Sequence, residues 1–153
     1  MRRPCLPESI PPLRTAFRPP TTATYSAPQS RGHILIVEDE SGIRAAMTLV
    51  LEMEGFQVTQ ASDGRRGLHC LIESVPDVVL SDYMMPYMNG IEMIREIRAK
   101  PEFQTLPVVL LTAAIPSEPD YKSLIDAFLE KPVDVPTLVS TLQRLVDRRP
   151  SGN

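Results

Sequence analysis

The sequence predicts an α/β fold: a doubly wound, five-stranded parallel sheet built from (βα)5 units. Three observations carry that prediction. Short apolar runs alternate with segments of helical period along residues 32–148. The runs at 33–37, 78–81 and 107–111 are nearly continuous in Val, Ile and Leu, as strands covered on both faces are. Four runs end on polar residues, namely Glu38-Asp39, Asp82, Thr112 and Lys131, which a parallel sheet gathers at its carboxyl edge.

Each element follows in order. After the first strand, Ile43, Met47, Val50 and Leu51 recur at helical spacing, and Gly55 stands where a left-handed cap ends a helix. Residues 56–60 alternate as an edge strand. Asp63-Gly64 opens a second helix with Leu68, Leu71, Ile72 and Val75 as its apolar positions, and Pro76-Asp77 breaks it. The third strand, 78–81, is followed by an irregular loop. Gly90 then precedes a helix with Ile91, Ile94 and Ile97 on one stripe, stopped before Pro101. After the strand at 107–111, a Ser-x-Pro start predicts a short helix over roughly 117–126. Residues 127–130 form the last strand. Val135, Leu138, Val139, Leu142, Leu145 and Val146 then mark a strongly amphipathic final helix.

A chain of 153 residues fits one such domain, at 32–148, with an extension at 1–31 and a tail at 149–153. Seven of the 16 prolines fall in residues 1–31, which blocks helix and sheet pairing and predicts a disordered Pro/Arg-rich extension. That extension lacks the apolar core of a secretory signal. It carries five Arg against Glu8, so the net charge of −3 divides into +4 there and −7 in the remainder. An acidic domain is a poor match for nucleic acid and a good one for a metal ion or a basic partner. Cys5 and Cys70 form no disulfide or metal spacing, and His33 and His69 are isolated, which suits a reduced cytoplasmic compartment. No apolar run approaches the roughly 20 residues of a membrane span.

The polar strand ends suggest phosphoryl chemistry. A carboxylate at Asp82, held by a rigid strand yet open to solvent, can attack phosphorus to give an acyl phosphate. Crowded carboxylates repel one another and require a cation, and a hard divalent ion such as Mg²⁺ takes oxygen ligands and bridges to phosphate. Asp39 and Asp82 would ligate it, Glu38 directly or through water, with the Met84 carbonyl completing the set. Thr112 would donate its hydroxyl to phosphoryl oxygens, Lys131 would neutralise their charge, and Ala113 leaves room for the group. Taken singly, a strand-end Asp or Thr is usually a turn or cap residue, and Glu-Asp-Glu a solvated helix start. Their co-occurrence, each at its own strand end, carries the reading.

These residues resemble the receiver domain of two-component response regulators over about residues 32–148. The motifs are Ile34-Leu35-Ile36-Val37-Glu38-Asp39-Glu40, Ser81-Asp82-Tyr83-Met84-Met85-Pro86 with Asn89-Gly90, Leu111-Thr112-Ala113 and Glu130-Lys131-Pro132. The resemblance implies a flavodoxin-like sheet of order 2-1-3-4-5. It also implies Asp82 as phosphoacceptor, Glu38 and Asp39 as the acidic pair, and Thr112 and Lys131 as switch residues. Phe128 falls at the family's rotameric aromatic position, and Lys131-Pro132 where a cis peptide is common. The implied partners are a sensor histidine kinase, a histidine phosphotransfer protein and a downstream protein contacted by a stand-alone receiver. The chain would assist its own phosphoryl transfer without being a conventional enzyme.

Two alternatives are weighed against this. A degenerate receiver would serve as a phosphorylation-independent scaffold, against which the intact Asp39, Asp82, Thr112 and Lys131 argue. A phosphohydrolase of the haloacid-dehalogenase type would need a second Asp where Met84 stands. A dinucleotide site fails because Glu38-Asp39-Glu40-Ser41-Gly42 would repel phosphate.

Two features depart from the family pattern. Thr112 and Lys131 are 19 positions apart, Ile125-Asp126-Ala127 replaces the usual Gly-Ala pair, and Pro116 and Pro119 intervene, which predicts a short or displaced fourth helix. Met84 and Ala114, two residues after the phosphoacceptor and after Thr112, cannot orient an attacking water, which predicts slow loss of the phosphoryl group.

Overall fold

A computed structural model of the chain describes residues 30–149. The expected extension therefore lies outside the described residues except for Ser30 and Arg31, and the tail except for Arg149. Arg31 belongs to the packed body. Its guanidinium lies 5.3 Å from the Phe56 ring centroid and donates to the Glu54 carbonyl at 3.0 Å and to Gln143 Oε1 at 2.9 Å.

Five strands form one parallel sheet of order β2-β1-β3-β4-β5: β1 (His33–Val37), β2 (Gln57–Ala61), β3 (Val78–Ser81), β4 (Val108–Thr112) and β5 (Ala127–Glu130). Five helices connect and close them: α1 (Ser41–Met53), α2 (Gly64–Glu73), α3 (Gly90–Ala99), α4 (Tyr121–Leu124) and α5 (Val135–Arg148). Strand side chains alternate between two cores. Ile34, Ile36, Leu80, Val109 and Leu111 pack with Leu51 of α1 and Leu138, Leu142 and Leu145 of α5. Leu35, Val37, Val79, Val108 and Leu110 pack with Leu71 of α2 and Ile91, Met93, Ile94 and Ile97 of α3. The sheet is thus doubly wound, as its sequence predicts.

Local signals explain most boundaries. Asp63 caps α2 through the Arg66 amide at 2.9 Å, and Asp134 caps α5 through the Thr137 amide at 2.8 Å. Asn89 and Glu92 form a capping box at α3. Gly55, at φ +100°, ends the turn after α1 as expected.

Four expectations need correction. The second strand begins at Gln57 and includes Ala61. Ile43 on α1 is exposed. Ile72 and Val75 do not face the core, being 73% and 47% exposed, because α2 buries the narrower stripe Gly64, Gly67 and Leu71. The helix expected over 117–126 shrinks to four residues, with Pro119 disfavouring helical backbone at Glu118 before it. That outcome matches the expected shortening. Among the described residues no helix is long and apolar enough to cross a membrane.

Candidate functional site

The order 2-1-3-4-5 reverses direction between β1 and β3, and a crevice opens at the carboxyl ends of strands flanking such a reversal. Main-chain pairing brings the acids together there. The Asp82 amide donates to the Val37 carbonyl at 3.1 Å, and the Glu38 amide to the Ala61 carbonyl at 3.1 Å. One carboxylate oxygen from each of Glu38, Asp39 and Asp82 lies within 4.8 Å of the others.

Burial grades these acids. Glu38 is 2% exposed, Asp82 is half-buried and Asp39 is exposed. Glu38 Oε2 accepts from the Glu40 amide at 3.2 Å, and its main-chain carbonyl accepts from Arg44 at 2.7 Å. Burial pushes the Glu38 carboxyl above its ordinary range. The Glu40 amide opposes that shift, the Asp82 charge adds to it, and Lys131 opposes it. Asp82 Oδ1 accepts from the Tyr83 amide at 2.7 Å, which fixes the carboxylate plane.

Lys131 is the basic counterpart. Its Nζ lies 3.3 Å from Glu38 Oε1 and 3.5 Å from Asp82 Oδ2, so one ammonium spans two of the three acids. Its own amide donates to the Thr112 carbonyl at 3.0 Å, and a cis Lys131–Pro132 bond follows. Thr112 is buried, with Oγ1 accepting from the Ala114 amide at 3.2 Å. Phe128 is half-buried and tilted against Tyr121, ring centroids 5.9 Å apart. Met84 is exposed in the loop after Asp82.

The geometry brings Glu38, Asp39, Asp82 and Lys131 into direct association. Thr112 joins through the main chain of Lys131, and Phe128 stands one strand away on β5. The donor set fits a hard divalent cation: the cluster contains only carboxylate oxygens, one of its members is nearly sealed from water, and a single ammonium offsets three charges. A groove of about 570 Å³ beside Arg31, Glu54 and Val139 lies away from these residues and contains none of them.

Sequence reasoning passed over three contributors. Arg44 braces the Glu38 carbonyl from α1, with no signal beyond a helical Arg. Glu118 meets Tyr83 and Asn89, residues 35 and 29 positions away. Gly90 has a steric reason for its identity, since a Cβ there would stand 2.2 Å from the Asp82 carbonyl oxygen. The family motif contained that glycine but not the reason for it.

Comparison with known proteins agrees with this geometry. A family model described as the response regulator receiver domain matches residues 34–143. The response regulator ArlR of Staphylococcus saprophyticus is 33% identical over 123 residues, covering 78% of this chain and 54% of that protein. The phosphate regulon transcriptional regulatory protein PhoB of Escherichia coli is 35% identical over 118 residues, covering 75% and 52%. The chain thus spans about half the length of these curated relatives. Among solved structures, chemotaxis protein CheY4 of Vibrio cholerae superposes with a TM-score of 0.68 at 32% identity, over 74% of this chain and 97% of that one. The receiver domain of sensor histidine kinase PA1611 from Pseudomonas aeruginosa, solved with magnesium in its active-site cleft, gives 0.68 at 28% identity, over 76% and 98%. With motif, fold and site in agreement, the chain belongs to the response regulator receiver domain family of two-component signalling.

Proposed function

We propose that the chain accepts a phosphoryl group on Asp82 and signals the change through protein–protein contacts. The donor would be a phosphohistidine of a sensor histidine kinase or of a histidine phosphotransfer protein. The observation that carries this reading is the convergence of Glu38, Asp39 and Asp82 under the single ammonium of Lys131. A crowded acid cluster destabilises itself unless cations share its field, and those cations are what would admit an incoming phosphoryl anion.

In the reaction an Asp82 carboxylate oxygen attacks phosphorus as the phosphorus–nitrogen bond of the donor breaks, and the imidazole leaves with the electron pair. The Tyr83 amide orients the attacking carboxylate. Lys131 lies beside Asp82 Oδ2, where it meets the charge on the phosphoryl oxygens. Asp39 and Asp82, with Glu38 and the Met84 carbonyl, would hold Mg²⁺, which would supply positive charge to offset that of the phosphoryl group. Thr112 would donate its hydroxyl hydrogen to the phosphoryl group, and Phe128 would turn inward behind it. Neither nucleic acid nor membrane enters this scheme. The chain serves as phosphoacceptor and has no separate substrate to turn over.

The test is the intact mass of the protein after incubation with acetyl phosphate, with and without Mg²⁺, beside Asp82→Asn. The expected result is a Mg²⁺-dependent phosphoryl adduct absent from the variant. A folded protein that binds Mg²⁺ and takes up no phosphoryl group would refute the proposal in favour of a phosphorylation-independent scaffold.

A further inference from the structure

Behind the phosphoacceptor, a buried tyrosine ties two loops together. Tyr83 follows Asp82 directly, and its ring is packed in the α2/α3 core. Its hydroxyl donates to Glu118 Oε2 at 2.9 Å and accepts from the Ser117 amide at 3.3 Å. The other Glu118 oxygen accepts from Asn89 Nδ2 at 3.3 Å, and Asn89 is the residue that caps α3. From the segment after Thr112, Glu118 therefore grips both ends of the loop that starts at the phosphoacceptor.

The grip is made by a carboxylate. Burial alone would raise the Glu118 carboxyl, but hydrogen bonds from its own amide, Tyr83 and Asn89, with the charge of Arg95, hold it below the usual range. Arg95 of α3 also pairs with Asp120, two residues further along. Between Thr112 and Glu118 the chain is short and includes the buried Pro116, so little slack separates the two. A Thr112 hydroxyl drawn toward a phosphoryl group on Asp82 would pull with it the Ala114 amide hydrogen-bonded to it and so shift this segment, which would place the Tyr83–Glu118 bond under load.

We infer that Glu118, through Tyr83 and Asn89, is a positioning residue that holds the β4–α4 loop in its unphosphorylated place and so opposes phosphorylation of Asp82. The inference rests on the phosphoacceptor reading above. Breaking the latch would favour the phosphorylated arrangement, because that arrangement no longer has to sacrifice a charge-assisted hydrogen bond.

The experiment follows the rate of adduct formation from acetyl phosphate and Mg²⁺ in the full chain, comparing wild type, Tyr83→Phe, Glu118→Ala and the double variant. Each single change is expected to raise the rate about threefold to tenfold, the net range of one typical hydrogen bond. The double variant should be no faster than the faster single, since both cut one latch. Glu118→Gln, which keeps an acceptor for the Tyr83 hydroxyl, should fall between. A second measurement does not depend on a variant keeping its fold under assay: fluorine NMR of protein labelled with 3-fluorotyrosine, the Tyr83 line being the one lost in Tyr83→Phe. That line should move when wild type is phosphorylated. Unchanged or slower rates, or a Tyr83 line that stays in place on phosphorylation, would overturn the latch while leaving the phosphoacceptor reading intact. Absence of any adduct in wild type would instead remove the phosphoacceptor reading, and the latch with it.

Discussion

The two halves of the fold around the site are fastened differently. Around β1 and β3 the main chain does the positioning: Val37 and Ala61 carbonyls set Asp82 and Glu38 in register, over strands whose apolar residues are at most 1% exposed. From β4 to β5 the main chain still pairs, the Lys131 amide on the Thr112 carbonyl, but long side chains fasten the connecting segments. Arg98 of α3 donates to the carbonyls of Phe103, Gln104, Leu106 and Leu124 and pairs with Asp126 at 3.1 Å. Helix α4 has no buried residue of its own, and β5 is only half-covered. The difference separates tasks. The acids, which the proposed reaction needs crowded in advance, sit at the ends of strands buried on both faces, whereas the segment that would report their state is fastened by polar contacts that can be exchanged one for another.

The first half should break most severely at Gly90. A Cβ there would meet the backbone of Asp82 itself, with no flexible side chain to move aside, while the Gly90 amide is bound to the Tyr83 carbonyl at 2.8 Å. Gly90→Ala is expected to cost about 3 kcal/mol or more in urea unfolding. Whatever folds should form the Asp82 adduct poorly, because relief of the clash displaces Asp82. Wild-type stability for this variant would show that the loop yields where main-chain pairing is argued to fix it.

Arg98 tests the second half. Arg98→Ala removes donors from several carbonyls at once, and a loss of about 2–3 kcal/mol is expected from leaving such groups unpaired. Arg98→Lys should recover a minor part, since an ammonium cannot reproduce the planar fork. Hydrogen exchange locates the damage. Faster exchange is expected in residues 103–126, with β1 and β3 still protected. Equal loosening of both halves would dissolve the distinction between them.

The same division explains what the sequence disclosed. Continuous apolar runs, a helix stripe such as Ile91, Ile94 and Ile97, and the Asp63-Gly64 helix start are local signals, and each led to an element close to its observed bounds. The acids were legible because they lie next to strand ends, so placing the strands placed them. Ile72 and Val75 were misplaced because helical spacing alone does not say how wide a face its neighbours cover, and the small residues Gly64 and Gly67 supply the contact. Tyr83 and Glu118 are separated by 35 positions and by two elements, and no periodicity links them. Arg98 looks like any exposed helical Arg until the chain beyond Pro101 folds back over it.

The smallest expected effect concerns one residue from each half. Met84, 62% exposed beside Asp82, and Ala114, exposed two residues past Thr112, offer a poor acceptor and no side-chain polar group to a water approaching a phosphoryl group from solvent. An acyl phosphate is intrinsically labile, and on the proposed reading its lifetime here would depend on how well an attacking water can be oriented. Met84→Asn with Ala114→Glu supplies an amide and a carboxylate at the two loop positions flanking that approach. Decay of the adduct, followed by intact mass after donor removal, is expected to accelerate about tenfold, equivalent to about 1.4 kcal/mol of barrier and less than full general-base catalysis gives. The single variants should each fall well short of the pair, because a water held from one side only is poorly aligned for in-line attack. If Met84→Asn alone gave the whole acceleration, control of lifetime would belong to the rigid acid half. A decay rate unmoved by both changes would show that exclusion of water, not its orientation, governs how long the signal lasts.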